Sequence, residues 1–171
     1  MSPVETPKAR QAPSVAARLD TVLGRFTMYR LILIVLAVLA AYSLLLDVLG
    51  WLTFGIPEML AHLVLCLGLT YASNRALAAL FRVRPHSESS LITGLLLFFL
   101  FWPSFAPMDV AGVALACVLA SVSKYALAWR GRHIFNPAAT GATVLTIVGI
   151  WAPDLGASAW WVGSPWLLPG K

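Results

Sequence analysis

The sequence has little charge. Asp, Glu, Lys and Arg together make up 11% of its 171 residues, whereas hydrophobic residues make up 60%. A soluble domain carries about twice that charged fraction. Several runs of about 15 to 20 residues contain no charge at all, which is typical of membrane-spanning helices. Because these runs are continuously apolar and do not alternate, the sequence predicts an all-α integral membrane protein surrounded by the lipid bilayer, with no nucleic acid as a partner.

Metal-ligand and catalytic patterns are also missing. The two cysteines, Cys66 and Cys117, lie inside apolar runs without a CxxC motif or a metal-ligand spacing, so we expect small core residues and no metal site. His62 is isolated in an apolar run, which favours a buried, hydrogen-bonded histidine over a ligand or a proton relay. No haem or iron–sulfur motif, acid–base pair or nucleophile is visible. We therefore assign no catalytic residue and expect no catalysis by this chain alone.

The chain divides into a tail, a membrane domain and an outer segment. Residues 1–25 are rich in Pro, Ala and Arg and lack the apolar core of a signal peptide, so they predict a flexible basic cytoplasmic tail. Residues 26–155 hold five predicted spans, and residues 156–171 predict an outer loop and the start of a further helix. The predicted spans are Met28–Gly50, Pro57–Phe81, Ser89–Trp102, Val110–Trp129 and Pro137–Trp151.

Apart from Lys171, lysine and arginine are confined to one predicted side of the membrane. They occur in the tail and around the junctions of span two with three and of span four with five. The other connections hold Asp109 and Asp154 and no Lys or Arg. The positive-inside rule then predicts a multi-pass protein of the cell inner (plasma) membrane with its N-terminus in the cytoplasm.

Spans three and five are shorter than a bilayer. A helix of fifteen residues is about 22 Å long, against a hydrocarbon core of about 30 Å, and such helices often lie beside a site. Span three offers Ser87 or Ser89 as an N-cap, and span five offers Asn136 as N-cap with Pro137 at the first helical position. The basic residues near these two helix starts are Arg82, Arg84, Arg130, Arg132 and His133. Together they predict an anion-binding surface, or else arginines that only set the topology.

Span four predicts contacts inside the bundle. Gly112, Ala116 and Ala120 recur at intervals of four and predict a face for close helix packing. Lys124, near the end of the same span, is expected to extend to the lipid headgroups.

Span five carries a polar stripe. Asn136, Thr140, Thr143 and Thr146 fall near one face of the predicted helix. Such a stripe normally faces the bundle interior or a cavity. Because threonine also hydrogen-bonds to its own helix, a stripe without any ligand is the alternative.

Two stretches of the sequence resemble one protein family. The stretch ESSLITGLLLFFLFWP and the later SKYALAWRGRHIFNPAATG are similar to the D-type membrane protein of Rnf electron-transport complexes and to the B-type membrane protein of the sodium-pumping NADH:quinone oxidoreductase. That family has a Ser/Thr-Gly stretch that opens one helix and the signature SKxxxxxxGxHxFNPA before another. The resemblance covers residues 85–170, where WWVGSPWLLPG resembles the family's continuation into its next helix.

The resemblance implies a flavin-carrying subunit of a membrane redox chain. Family members bind FMN through a phosphoester to a threonine, and some hold riboflavin and a quinone, so these are the expected cofactors. Family chains consist of two inverted halves in a fold similar to urea transporters. The five spans here would be the first half of a longer chain, or a half-length relative that pairs with another copy or chain. On this basis the expected cofactor-binding residues are Ser90, Thr93, Gly94, Arg132, His133, Asn136, Pro137, Thr140 and Thr143.

The covalent attachment motif of the family, Asp-x-x-Ser-Gly-Ala-Thr, is matched only in part. Residues 140–143 read TGAT, but Pro137 stands where the Asp should be, and the stretch lies inside the Asn-Pro-Ala signature. Thr143 is therefore expected to be an ordinary helix residue. Any covalent site would lie beyond Lys171.

Three functions remain open at this point. The leading hypothesis is a membrane subunit of a flavin-dependent electron-transfer (oxidoreductase) complex, with cation movement as a coupled process. Its partners would be the other subunits of the complex or a downstream flavin-reductase domain. The alternatives are half of a small-solute channel or transporter, lined by the two short helices, and a membrane anchor for a flavin reductase.

Overall fold

The chain forms a bundle of helices, as seen in a computed structural model that describes residues 27–85, 87–129, 132–133 and 135–152. For residues 128–129 and 132–133 only the backbone is described. The elements are α1 Met28–Val48, α2 Ile56–Leu80, α3 Ser87–Leu100, α4 Pro107–Ala126, β1 Ala128–Trp129, β2 Arg132–His133 and α5 Pro137–Trp151. The predicted all-α class is confirmed. The predicted tail of residues 1–25 and the outer segment of residues 156–171 lie outside the described residues.

Three of the helices are long and apolar enough to cross a membrane: α1, α2 and α4, with 21, 25 and 20 residues. Helices α3 and α5 have 14 and 15 residues. They therefore measure about 21 and 22 Å, short of a hydrocarbon core of about 30 Å. Helix α1 lies at the edge of the bundle, because only its Ala40 and Asp47 are buried and its row of Leu, Ile and Val side chains is largely exposed. Such a face fits contact with lipid.

The helices alternate in direction, which gives the bundle two distinct ends. At the basic end, α1, α3 and α5 begin and α2 and α4 finish. The basic residues at this end include Arg30, Arg82, Arg84 and Lys124. Arg30 Nε is 3.1 Å from Glu88 Oε1, which joins α1 to α3 there. The opposite end is the tryptophan end, where the exposed tryptophans are Trp51, Trp102 and Trp151. The described residues of the tryptophan end include no Lys or Arg.

The core is centred on α2, α3 and α4. Met59, Phe98 and Phe101 are at most 1% exposed. Cys66 and Cys117 are free thiols with no exposed surface, which confirms the prediction of small core residues.

Close backbone contact joins α4 to α5. A Cβ added at Gly141 would lie 2.6 Å from the Ala116 carbonyl oxygen and 3.0 Å from the Ala120 Cβ. Ala116, Ala120 and Gly112 are all buried, so the predicted small-residue face of α4 is confirmed.

The helix ends lie within three residues of the predicted bounds. The predicted fourth span reaches Trp129, but α4 ends at Ala126, and Trp129 instead pairs antiparallel with Arg132 in the β1–β2 hairpin. The hairpin reverses the chain direction so that α5 can run back along α4. Helix α3 begins at Ser87, so Ser87 and Ser89 both lie in its first turn and neither is the N-cap.

The polar stripe of α5 faces away from the bundle, so the prediction that it lines the interior was wrong. Thr143 and Thr146 are exposed, and Thr140 is half-buried. The buried face consists of Pro137, Ala138, Gly141 and Leu145. Within this face, Gly141 allows the close packing on α4, because a Cβ there would lie 2.6 Å from the Ala116 carbonyl oxygen. Two of the three threonine hydroxyls are satisfied within the helix, because Thr140 and Thr146 donate to carbonyls one turn earlier in the chain, at 3.0 and 2.9 Å.

Candidate functional site

The start of α5 has the predicted cap. Asn136 has an extended backbone, and its side-chain oxygen accepts a hydrogen bond from the Ala138 N–H at 3.0 Å. Pro137 occupies the first helical position, where its missing N–H removes no helical bond. The Thr140 N–H donates to the Asn136 carbonyl at 2.9 Å. Ala139 therefore supplies the first-turn N–H that has no partner among the described residues.

The β1–β2 hairpin brings two basic residues to this helix start. Trp129 pairs with Arg132, and β2 contacts α4. The backbone of Arg132 and His133 therefore lies just before the Asn136 cap, at the basic end. The side chains of Arg132 and His133, and all of Arg130, lie outside the described residues. The contact of Arg132 with an anion stays a prediction.

The expected site residues of α3 lie in helix contacts. Ser90 and Thr93 are buried, and both hydroxyls donate to carbonyls of their own helix at 2.8 Å. Gly94 packs against α2, because a Cβ there would lie 2.7 Å from Thr70 Oγ1. Helix α3 also contacts α5, so the two stretches that carry the family resemblance are neighbours in the bundle.

A row of polar contacts joins α2 to α4. Tyr125 Oη lies 3.0 Å from both the carbonyl oxygen and the Oδ1 of Asn74. Ser121 Oγ is 3.4 Å from the Thr70 carbonyl oxygen and 3.0 Å from Ser73 Oγ. The Asn74–Tyr125 and Thr70–Ser121 pairs are each separated by 51 residues, so α2 and α4 are parallel and in register. We call these five residues the α2–α4 polar row.

The spacing of polar residues in the sequence indicates this row, although the hydropathy pattern does not. Thr70 and Asn74 are four residues apart on α2, and Ser121 and Tyr125 are four apart on α4, so each pair shares a helix face. The row leaves one group unsatisfied. Asn74 is 3% exposed, and its Nδ2 has no hydrogen-bond partner among the described residues.

His62 is buried and hydrogen-bonded, as predicted, and it packs against the short helix α3. The residue is 4% exposed, and its Nε2 lies 3.9 Å from the Cys66 Sγ, one turn further along α2. Its ring lies against the Phe98 ring of α3, with centroids 5.6 Å apart.

Lys124 turns towards the first turn of α3 at the basic end, and its predicted reach to the lipid headgroups stays a prediction. Its Nζ donates to the Ser89 carbonyl oxygen, in the first turn of α3, at 3.0 Å. In the described part of the chain the ion pair is that of Arg30 with Glu88, and Lys124 has no carboxylate partner there.

Comparison of the chain with protein-family models, with curated proteins and with solved structures found no match. The class of the protein is thus described by its fold alone. It is a helical membrane protein in which two short helices begin at the end that carries the Arg and Lys side chains.

Proposed function

We propose that the chain is the membrane subunit of a flavin-dependent electron-transfer complex, and that the start of α5 holds the phosphate of the flavin. One arrangement carries the proposal: Asn136 caps α5, and the β1–β2 hairpin brings Arg132 and His133 to the same place. The resemblance of this stretch to the D-type membrane proteins of Rnf complexes supplies the cofactor, FMN. Riboflavin or a quinone would be a further ligand of the same complex.

The donors at the start of α5 fit an anionic group. The Ala139 N–H has no partner in the described part of the chain, and the partial positive charge of a helix N-terminus favours an anion there. Arg132 would add a charge-assisted hydrogen bond. By binding the Ala138 N–H, Asn136 holds the first turn in the geometry that presents this donor. A bound flavin would supply the electron transfer, and the chain would supply binding and orientation.

We further propose that the basic end faces the cytoplasm, in the cell inner (plasma) membrane. Arg82 and Arg84 are exposed at that end, whereas the described residues of the tryptophan end include no Lys or Arg. The positive-inside rule supports this orientation.

The exposed face of α5 supports partners in a larger redox complex. Thr143 and Thr146 lie on that face, whereas the exposed face of α1 is almost wholly apolar. Small polar residues on a membrane helix favour contact with another helix over contact with lipid. The partner would be another subunit of the complex or the membrane part of a flavin-reductase chain.

Flavin retention in the purified complex tests the proposal. The variants are Arg132→Gln and Asn136→Ala, with Arg84→Gln as the control that removes an exposed charge at the same end. Loss of the charge-assisted bond from Arg132 is expected to weaken flavin binding by roughly 1.5–3 kcal/mol, about ten- to over a hundredfold. Loss of the Asn136 cap should also cost about 1 kcal/mol of helix stability. Unchanged flavin occupancy and affinity in both variants would show that the arrangement is structural only.

The same preparation separates the two alternatives. A colourless protein that carries solute flux in liposomes would favour the channel or transporter. Flavin bound only by a reductase domain would favour the anchor. The close contacts of Gly94 with α2 and of Gly141 with α4 disfavour a pore inside either helix pair, because even a methyl group has no room there.

A further inference from the structure

Helix α2 carries a positive charge on its exposed side. Arg75 is exposed and lies about one and a half turns before Leu80, the last residue of α2, so its Cα is about 8 Å inside that end of the helix. Its Nη1 donates to the Tyr71 Oη at 2.9 Å, and its Cζ lies 5.6 Å from the centroid of the Tyr71 ring. The guanidinium is therefore held against the residue one turn nearer the middle of α2.

The charge of Arg75 has no counterion in the described part of the chain. The ion pair found there is that of Arg30 with Glu88, at the basic end. The Tyr71 hydroxyl is neutral, so it accepts a hydrogen bond but does not compensate the charge. A charged side chain within a membrane helix is costly unless it has a partner. The exposed side of α2 therefore needs a negative charge beside Arg75.

The residues around Arg75 on this side are small. The outer face of α2 consists of the exposed residues Ala61, Gly68, Ala72, Arg75, Ala76 and Ala79. Gly68, Ala72 and Ala76 recur at intervals of four, so they follow one side of the helix. A Cβ added at Gly68 would meet no atom within 4 Å, so the backbone is open there. Small residues in this spacing allow a second membrane helix to approach closely.

The exposed side of α1 differs from the outer face of α2. Its exposed residues include Val35, Val38 and Leu39, which are 51, 62 and 46% exposed. These large apolar side chains fit contact with lipid. An unpaired arginine among alanines does not, because lipid chains offer no counterion and helix interfaces are where small residues are enriched.

We propose that the outer face of α2 packs against a membrane helix of a second protein, and that a carboxylate of that helix pairs with Arg75. A carboxylate matches the guanidinium in charge and in geometry, since it can accept two parallel hydrogen bonds. The helix that carries it lies over Gly68 and Ala72, where the backbone of α2 is open. This pairing does not depend on the flavin proposed at α5.

A second copy of this chain fits the outer face less well. Two copies related by an axis along the membrane normal would bring both Arg75 side chains to the same depth, where they repel each other. Among the described residues of the basic end the acidic residue is Glu88, which is already paired with Arg30. The counterion therefore comes from a different protein.

Photo-crosslinking of the full chain in its native membrane tests the proposal. The photoreactive amino acid p-benzoylphenylalanine replaces Val64, which is 69% exposed on α2 one turn before Gly68. The matched position is Val38, which is 62% exposed on α1. Mass spectrometry identifies the cross-linked peptide. The site variants are Arg75→Gln and Ala72→Leu. Their controls are Arg84→Gln and Ala41→Leu, which make the same changes at exposed positions away from the outer face.

Position 64 is expected to cross-link to a membrane helix of another protein that contains Asp or Glu, and position 38 to lipid. Loss of an interhelical contact should lower the cross-link yield roughly five- to thirtyfold in Arg75→Gln and in Ala72→Leu, but not in the controls. Arg75→Asp should also lose the cross-link, and replacing the partner's carboxylate by arginine should restore it, which a folding defect would not allow. Flavin retention should stay unchanged in all of these variants.

Three results would overturn the proposal. Cross-linking of position 64 to lipid alone would show that the outer face of α2 is covered by lipid, and cross-linking to a second copy would make it a homodimer interface. A cross-linked helix without Asp or Glu, or an unchanged yield in Arg75→Gln, would show that Arg75 is not paired there.

Discussion

Replacing Gly141 by alanine tests the packing between α4 and α5. The new Cβ would lie 2.6 Å from the Ala116 carbonyl oxygen and 3.1 Å from the Ala120 nitrogen. Both atoms belong to the backbone, so no side-chain rotation relieves the contact and the helices have to separate. Overpacking of this kind costs about 1–3 kcal/mol.

The matched control is Gly68→Ala in the middle of α2. A Cβ at Gly68 meets no atom within 4 Å, so this variant should gain about 0.5–1 kcal/mol from the better helix propensity of alanine. Both variants make the same chemical change inside a helix. The difference between their free energies of unfolding therefore isolates the contact, and we expect Gly141→Ala to be the less stable by about 1–3 kcal/mol.

Unfolding in mixed micelles, followed by tryptophan fluorescence, measures this difference. Adding Ala120→Gly to Gly141→Ala removes the 3.0 Å contact with the Ala120 Cβ but leaves the Ala116 carbonyl in place. Glycine at position 120 also costs about 0.5–1 kcal/mol of helix propensity, so the double variant should recover at most part of the loss. Equal stability of Gly141→Ala and Gly68→Ala would refute the close approach of the two helices.

Two further predictions concern topology and flavin chemistry. Cysteines placed at Arg84 and Asp154, in a background that lacks the buried Cys66 and Cys117, should react with an impermeant thiol reagent from opposite sides of the membrane. The reason is that Lys and Arg mark only one end of the described bundle. Labelling of both from one side would contradict this topology. The denatured chain should show no flavin fluorescence in a gel, because Pro137 replaces the Asp of the attachment motif. A fluorescent band that disappears in Thr143→Ala would make that threonine the attachment residue.

Features with a local cause could be predicted from the sequence. Helix α5 starts at Pro137 with Asn136 as its cap, because the Asn-Pro pair fixes a helix start through neighbouring residues alone. The small-residue face of α4 is also encoded locally, by a spacing of four. The residues expected to hold a cofactor remain predictions, since Arg132 and His133 are described only by their backbone.

The direction of a polar side chain could not be predicted in the same way. The threonine stripe of α5 pointed to an inward face, but the Thr140 and Thr146 hydroxyls are satisfied within their own helix, so polarity alone did not decide which face is buried. The direction of Lys124 and the partner of Asn74 depend on the register between helices, and Asn74 lies 51 residues from Tyr125. Hydropathy contains no information about that register.

The contact of His62 with α3 bears on how the chain enters the membrane during synthesis. Helix α3 is too short to cross the hydrocarbon core alone, and its Phe98 ring packs against the His62 ring of the preceding helix, with centroids 5.6 Å apart. Because His62 is synthesised first, α2 is available to pack against α3 as soon as α3 is made, and the two helices can enter the lipid as a hairpin. The first turn of α3 has to wait for Lys124, which is synthesised with α4. The order of synthesis therefore supplies α3 with its partners at one end first and at the other end afterwards.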